Sequence, residues 1–500
     1  EAISLAAKEI LGIDSIENAE DFLKAGGDSL KILAFLVALT KQGYALSLAD
    51  FVAAQTKEDI IASVKPLEKE ENVRYENEAV AEKLKKEGLE YDSFYPAGPM
   101  QESILYYCSI NEKKSVYNTL VILRALRAID KTRFAQAAQL MIEKYDAFRT
   151  IFRFYKDGNF AVVRKNSICP IQCVESDLTI AEFASDLSRK GFDPKDNSFR
   201  MLLVTASDGE FVLYNVHHAV SDGISVFNAI SYFIDCYLRL EKGETFESLK
   251  KKIVRNDGFD YYSFLHGLGK SDDAKAADLF RREFEGFEGG DIIHPSRKPD
   301  NDDYGKIDFA LTEEVDRKLR DFCQKNECTL KQVCDAVWAI VLSKYTYTED
   351  VAFGEVVSGR EESAEGIEKA VGLFINTVPM RLSVRADKTV KDLLKEIKEK
   401  SISHLPYLTY PISKLIRLIG DNAISTIVNY EDNDGKKYGI GADLFEQEYL
   451  FDNSNFDLEF EITGKGRLAF DLRYNGSVYS EEDMRLLGDR ILRVFESIAT

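Results

Sequence analysis

Tryptophan occurs once in 500 residues, histidine five times and proline ten times. Cysteine is also scarce. Of seven, Cys169 and Cys173 lie four apart and Cys323, Cys328 and Cys334 five and six apart, with no CxxC and no histidine beside them. That spacing speaks against a zinc site, and the odd, scattered count speaks against a disulfide framework, so no metal is expected. Free thiols packed as small apolar groups suit a reducing compartment, and a cytoplasmic location is expected. Long apolar runs are missing too. The stretch within residues 30–40 is too short to span a bilayer, so no membrane association is expected. The N-terminus has no basic region followed by an apolar core and a cleavage site. It begins without Met inside a helical pattern, which points to a piece of something larger. Positive charge is in deficit: 65 Lys and Arg against 85 Asp and Glu give −20. A binder of nucleic acid held by clustered basic contacts is thereby disfavoured.

What is present is apolar material for several cores, 45% of the residues. At about 150 residues per domain the length allows roughly three folding units. Residues 1–65 read as a small helical unit. Residues 2–11 have a helical pattern, 13–27 are irregular with Phe22 and Leu23 as anchors, and 29–40 form an apolar helix suited to a small bundle. Ser47 with Asp50 and Thr56 with Asp59 carry helix-start signatures. Residues 66–92, crowded with Lys and Glu of alternating sign, read as a solvated linker with a short helix near 78–86.

Beyond residue 93 helices and strands interleave. Apolar spacing predicts a helix over 132–148. Asp157-Gly158 and Asp208-Gly209 predict hairpins joining 150–155 to 160–164 and 201–205 to 211–216. Helices follow over 224–240, 313–326, 329–345 and 390–401, and a last one after Ser480. Strands fit 351–357, 374–382, 424–429, 456–462 and 468–474. About 400 residues of this mixture exceed one ordinary core. The expectation is two α/β lobes, 93–265 and 266–500, with a cleft between them.

Two motifs carry chemistry. In Gly26-Gly27-Asp28-Ser29-Leu30, two glycines give a turn of unusual backbone freedom, Asp28 stands where an N-cap belongs, and Ser29 opens the apolar helix. A serine there is exposed beside helix amides that favour a phosphate. A plain capped helix start would look the same. The second motif, His217-His218-Ala219-Val220-Ser221-Asp222-Gly223, directly follows an apolar strand. Consecutive strand residues point to opposite faces, so the two imidazoles separate. A neutral imidazole suits a step in which an amine loses a proton near neutral pH. A strand-end histidine pair facing water is the bland alternative.

The acidic N-terminal unit, with Phe22-Leu23, the Gly-Gly-Asp-Ser turn and the apolar helix after it, resembles the peptidyl or acyl carrier domains of assembly-line synthetases. His217 to Gly223 resembles the HHxxxDG signature of nonribosomal peptide synthetase condensation domains. Further segments match in the family's order: Tyr95-Pro96 through Pro99-Met100-Gln101-Glu102, Phe148-Arg149-Thr150, residues 258–264 with Tyr261 and Tyr262, Ser358-Gly359-Arg360, and Gly372-Leu373-Phe374-Ile375-Asn376-Thr377. Several ordered matches are more specific than any one.

The resemblance implies a small all-α four-helix carrier, then an α/β condensation domain of two chloramphenicol-acetyltransferase-like lobes in a V, with a tunnel at their junction. It implies 4′-phosphopantetheine on Ser29, attached by a phosphopantetheinyl transferase. Partners would be an upstream adenylation domain and a downstream aminoacyl carrier. The expected reaction condenses a carrier-bound aminoacyl or peptidyl thioester with that carrier's amine to form a peptide bond. His218 is the expected catalytic residue, with His217, Asp222 and Gly223 around it. Asp222 would pair with an arginine, for which Arg360 and Arg149 are candidates, and Gly223 would leave room for the arm. Asn376 fits either the cleft wall or a strand edge. Two alternatives stand beside this. Gly-Gly-Asp-Ser is frequent ahead of epimerization domains, which share the histidines. A non-catalytic recruitment module is the other, although His218 and Asp222 are both present.

Overall fold

The computed structural model describes residues 2–18, 21–22, 32, 35–36, 38–39, 42–46, 50–51, 54–66, 74–110, 116–165, 171–268, 273–288, 293–298, 304–360, 366–420, 423–431, 443–451, 454–464 and 466–500. Ser47 and the whole Gly26-Gly27-Asp28-Ser29-Leu30 motif lie outside the described residues.

In the N-terminal unit the helix Ala2–Leu11 buries Ile3, Ala6 and Ala7 on one face. Phe22, Phe35 and Phe51 meet with ring centroids 5.2–5.6 Å apart and form an aromatic centre. The helix Lys57–Ser63 begins as its sequence foretells. Thr56 and Asp59 cap each other's backbone amides.

The helix Glu78–Lys86 falls where a solvated linker is expected, and here the structure differs. Val80 and Leu84 are buried against Phe94, Ile151, Phe160 and Val162. The strand Tyr91–Pro96 pairs antiparallel with Gly158–Arg164, which in turn pairs with Thr150–Tyr155. The lysines and glutamates that suggest a linker are the outer face of an amphipathic helix.

Two larger sheets carry the body. A five-stranded sheet runs in the order Phe445–Phe451, Asn118–Ala125, Gly209–His217, Phe199–Ala206, Ile171–Glu175. Both predicted hairpins are present. Phe211 and Leu213 face one hydrophobic cluster while Val212, Tyr214 and Val216 face another. A strand buried on both sides explains the unbroken apolar run before the histidines. The second sheet has six strands in the order Tyr304–Ala310, Ala469–Asn475, Leu458–Thr463, Ile427–Glu431, Asp350–Val357, Asn376–Ser383. Its helices, among them Leu330–Thr346 and Glu481–Ala499, pack over a core centred on Trp338 and Phe460.

The two halves are laced together twice. The strand Phe445–Phe451, absent from the sequence expectation, crosses over and pairs with Asn118–Ala125. Residues 366–375 also cross, putting Val371 and Leu373 into the first core and Phe374 against Phe259 and Phe264. No helix among the described residues is long and apolar enough to cross a membrane.

Candidate functional site

The strand Gly209–His217 ends where His217 lies opposite Asn118, and His218 starts a short 3-10 turn. The two histidines part, as alternation demands, but into different roles. His217 is 3% exposed, and its Nδ1 accepts the Ala219 amide at 3.2 Å. Its Nε2 lies 3.7 Å from the Cys108 sulfur. Burial, with His218 adjacent, pushes its pKa down to about 3. His217 is thus a neutral ring that shapes the turn. Buried and turned onto the Ala219 amide, the ring expected among the catalytic groups faces the interior of the turn. His218 has its N–H on the Tyr117 carbonyl at 2.9 Å and its ring edge-on to Tyr117 with centroids 6.1 Å apart.

Asp222 caps the helix Gly223–Glu241 through the Ser225 amide at 2.8 Å. The same carboxylate takes Arg360 Nη2 at 3.0 Å and the Phe374 amide at 3.0 Å, and the Asp222 amide reaches the Gly372 carbonyl at 3.1 Å. Arg360 also donates to the Ile367 and Ala370 carbonyls and lies over the Phe374 ring. Of the two candidate arginines, the structure selects Arg360. Arg149 pairs instead with Asp92 and Asp146 and donates to the Arg164 carbonyl. It closes the three-stranded sheet onto the 3-10 turn Asp146–Arg149, away from Asp222.

Ser225 is a junction that the motif alone does not reveal. Fully buried, its hydroxyl accepts from Arg360 Nη2 at 2.8 Å and from the Gly372 amide at 3.0 Å, and donates to the Gly372 carbonyl at 2.8 Å. Gln101, from the opening motif, braces the histidine turn from beneath. It donates to the Ala219 carbonyl at 2.9 Å while accepting the Gly98 amide. Gly223 has no unusual backbone. A Cβ there would meet Glu431 Oε1, from the opposite lobe, at 3.3 Å. Gly359 does need its freedom: φ is +66°, and a Cβ would fall 1.7 Å from the Phe374 carbonyl oxygen. Asn376 is buried, and its amide donates to the Leu408 and Tyr410 carbonyls at 2.8 and 2.7 Å. It ties a strand start to the next loop, and it also borders a narrow cavity of about 30 Å³ with Gln101, Tyr261, Leu373, Ile375 and Pro411.

The arrangement can present one imidazole on a turn between two lobes, with Asp222 and Arg360 committed to holding that turn. Ser29, the expected site of the phosphopantetheine arm, lies outside the described residues.

Comparison with known proteins agrees with this architecture. A family model described as "Condensation domain" matches residues 91–500, and one described as "Phosphopantetheine attachment site" matches residues 1–64. Surfactin synthase subunit 2 of Bacillus subtilis is 26% identical over 427 residues, 81% of this chain and 12% of that protein. Tyrocidine synthase 2 of Brevibacillus parabrevis is 25% identical over 429 residues, again 81% of this chain and 12% of that protein. The chain therefore spans about an eighth of the length of these relatives. Among solved structures, the first condensation domain of the calcium-dependent antibiotic synthetase, in complex with substrate analogue 2a, is similar at TM-score 0.68 and 18% identity. It covers 82% of this chain and 97% of that one. The X-domain from teicoplanin biosynthesis is similar at TM-score 0.67 and 16% identity, over 81% of this chain and 94% of that one. Both show a shared fold. The chain belongs to the condensation-domain family, with a phosphopantetheine-attachment unit ahead of that domain.

Proposed function

We propose that this chain forms a peptide bond between two carrier-borne substrates in nonribosomal peptide synthesis. In this reading residues 1–65 are the carrier and Ser29 its attachment point. Residues 66–92 lead into the body, with the helix Glu78–Lys86 already packed on it, and the lobes 93–265 and 266–500 form the catalytic body. A serine hydroxyl at a helix start is the group a phosphodiester requires, and the family match over residues 1–64 supports that assignment. When attached, the phosphopantetheine arm supplies a terminal thiol that holds the acyl group as a thioester. A tether of this kind raises the local donor concentration to the order of millimolar.

The observation that carries the reading is the placement of His218. It sits at a lobe junction, on a turn locked by Tyr117, Gln101 and the Asp222–Arg360 pair. There it orients the incoming amine, or takes its proton as the amine attacks the thioester carbonyl. The C–N bond forms, the C–S bond breaks, and the amine's proton ends on the departing thiolate. His217, held neutral, keeps a second positive charge away from His218. An upstream adenylation domain, a phosphopantetheinyl transferase and a downstream aminoacyl carrier are the partners this chemistry requires. The free thiols among the described residues suit the cytoplasm.

The test is intact-chain mass spectrometry. Ser29 is loaded with a panel of aminoacyl-pantetheines, and each loaded chain is mixed with a soluble aminoacyl-pantetheine acceptor in D₂O. The expected product is a dipeptidyl thioester on the acceptor, slowed by about 10²–10⁴ in His218→Ala and lost with the loading itself in Ser29→Ala. Deuterium at the α-carbon of the loaded residue without dipeptide would move the assignment to epimerization. Neither signal would leave a recruitment module.

A further inference from the structure

We propose that Tyr117 is a positioning residue for His218 and ties that imidazole to the opposite lobe through Asn455. The inference rests on the reading above, in which His218 acts on the substrate amine, and adds a residue to its machinery.

Tyr117 stands just before the strand Asn118–Ala125, beside the end of Gly209–His217. The last ladder pair is Asn118 with His217, and the His218 amide then bonds the Tyr117 carbonyl at 2.9 Å. Residue 117 thereby sets where the His218 backbone leaves the sheet. The ring adds a second contact, perpendicular to the imidazole with centroids 6.1 Å apart, and Tyr107 packs edge-on against it at 5.9 Å.

The backbone of Tyr117 is in the left-handed region, at φ +58°. A bulky non-glycine residue there is uncommon and persists only where surrounding contacts over-determine it, and such residues gather at functional sites. The contacts are identifiable. Besides the carbonyl and the ring, the hydroxyl donates to Asn455 Oδ1 at 2.5 Å, 338 positions further along the chain. Asn455 belongs to a turn before the strand Leu458–Thr463 of the six-stranded sheet. Ser454, its neighbour, is braced on Glu459 through amide and hydroxyl, and Phe456 returns its amide to Ser454. The acceptor is therefore fixed in the second lobe. Burial, then the nearby Cys108 and Glu459, hold the Tyr117 phenol far above its usual range, so the hydroxyl remains a donor.

His218 is thus held on two sides. Asp222, Ser225 and Arg360 fix the far end of its turn, and Tyr117 fixes the near end while touching the other lobe. At the near end, the link from the imidazole's turn to the other lobe runs through the Tyr117 hydroxyl.

The test uses the full chain loaded as above, with Tyr117→Phe, Asn455→Ala and the double variant. Each single change should lower kcat about three- to tenfold, the value of one part-buried hydrogen bond. The acceptor KM should stay at its wild-type value, the melting temperature should fall by no more than a few degrees, and the double variant should be no slower than either single one. Wild-type kcat in both single variants would overturn the proposal. So would losses that multiply in the double variant, or a rate loss that merely follows a fall in melting temperature. A second readout needs no turnover. With five histidines in the chain, the ¹⁵N-imidazole signal of His218 is assignable from its loss in His218→Ala. Asn455→Ala should move it in the wild type and leave it still in Tyr117→Phe. An unmoved signal in Asn455→Ala would overturn the coupling even if the chain formed no dipeptide with any substrate in the panel.

Discussion

Arg360 and Asp222, 138 positions apart, form a buried ion pair at 3.0 Å with side chains 6% and 1% exposed. The pair joins the loop after Asp350–Val357 to the N-terminus of the helix Gly223–Glu241, the element that follows His218. Charge in such a place has value mainly through its partners, since its desolvation is paid back only by the hydrogen bonds around it.

Arg360→Ala leaves Asp222 as an uncompensated buried carboxylate and should cost about 3–5 kcal/mol of stability. Denaturant unfolding measures this directly. Arg360→Lys should recover only part of it, because an ammonium cannot replace the planar fork that reaches Asp222, Ser225 and the Ala370 carbonyl together.

Ser225→Ala removes a hydroxyl with three partners and strands the Gly372 amide in a buried place, while the Gly372 carbonyl keeps the Asp222 amide. A loss of about 1–3 kcal/mol is expected. Ser225→Thr keeps the hydroxyl and should lie closer to wild type in the same unfolding assay.

Gly359→Ala sets a Cβ 1.7 Å from a backbone oxygen at a φ of +66°. Backbone must move, and Arg360 moves with it. Loss of condensation activity together with a fall in melting temperature is expected. Gly43→Ala, at φ +85° with open space around it, should cost only the backbone strain of a left-handed alanine, about 1–2 kcal/mol.

His217 has a folded pKa near 3 against an unfolded value near 6.5. The unfolded chain therefore binds the extra proton first as pH falls. The stability this neutral ring contributes is fully present above about pH 6.5 and is lost between there and pH 3, at about 1.4 kcal/mol per pH unit. Unfolding curves from pH 7 to pH 4 should be shallower in pH for His217→Gln than for wild type. Parallel curves would mean that His217 does not titrate in this way.

Local patterns carried the hairpins around Asp157-Gly158 and Asp208-Gly209, the capped helix after Thr56, and the helices Glu313–Asn326 and Gly223–Glu241. Each is settled by neighbours within a few residues: turn chemistry, alternation or a cap. The motif around Asp222 could be read for the same reason, since His218, Asp222 and Gly223 lie within six residues. Between Arg360 and Arg149 the sequence offered no choice, because both sit in matching segments and the distinction depends on which chain crosses the lobe junction. Only the fold buried the His217 ring beside Cys108. Only the fold placed Tyr117 against Asn455, or took the strand Phe445–Phe451 into the far sheet. These are contacts between residues hundreds of positions apart. Such pairings follow from packing two lobes together, and no short stretch of sequence contains the information about its distant partner.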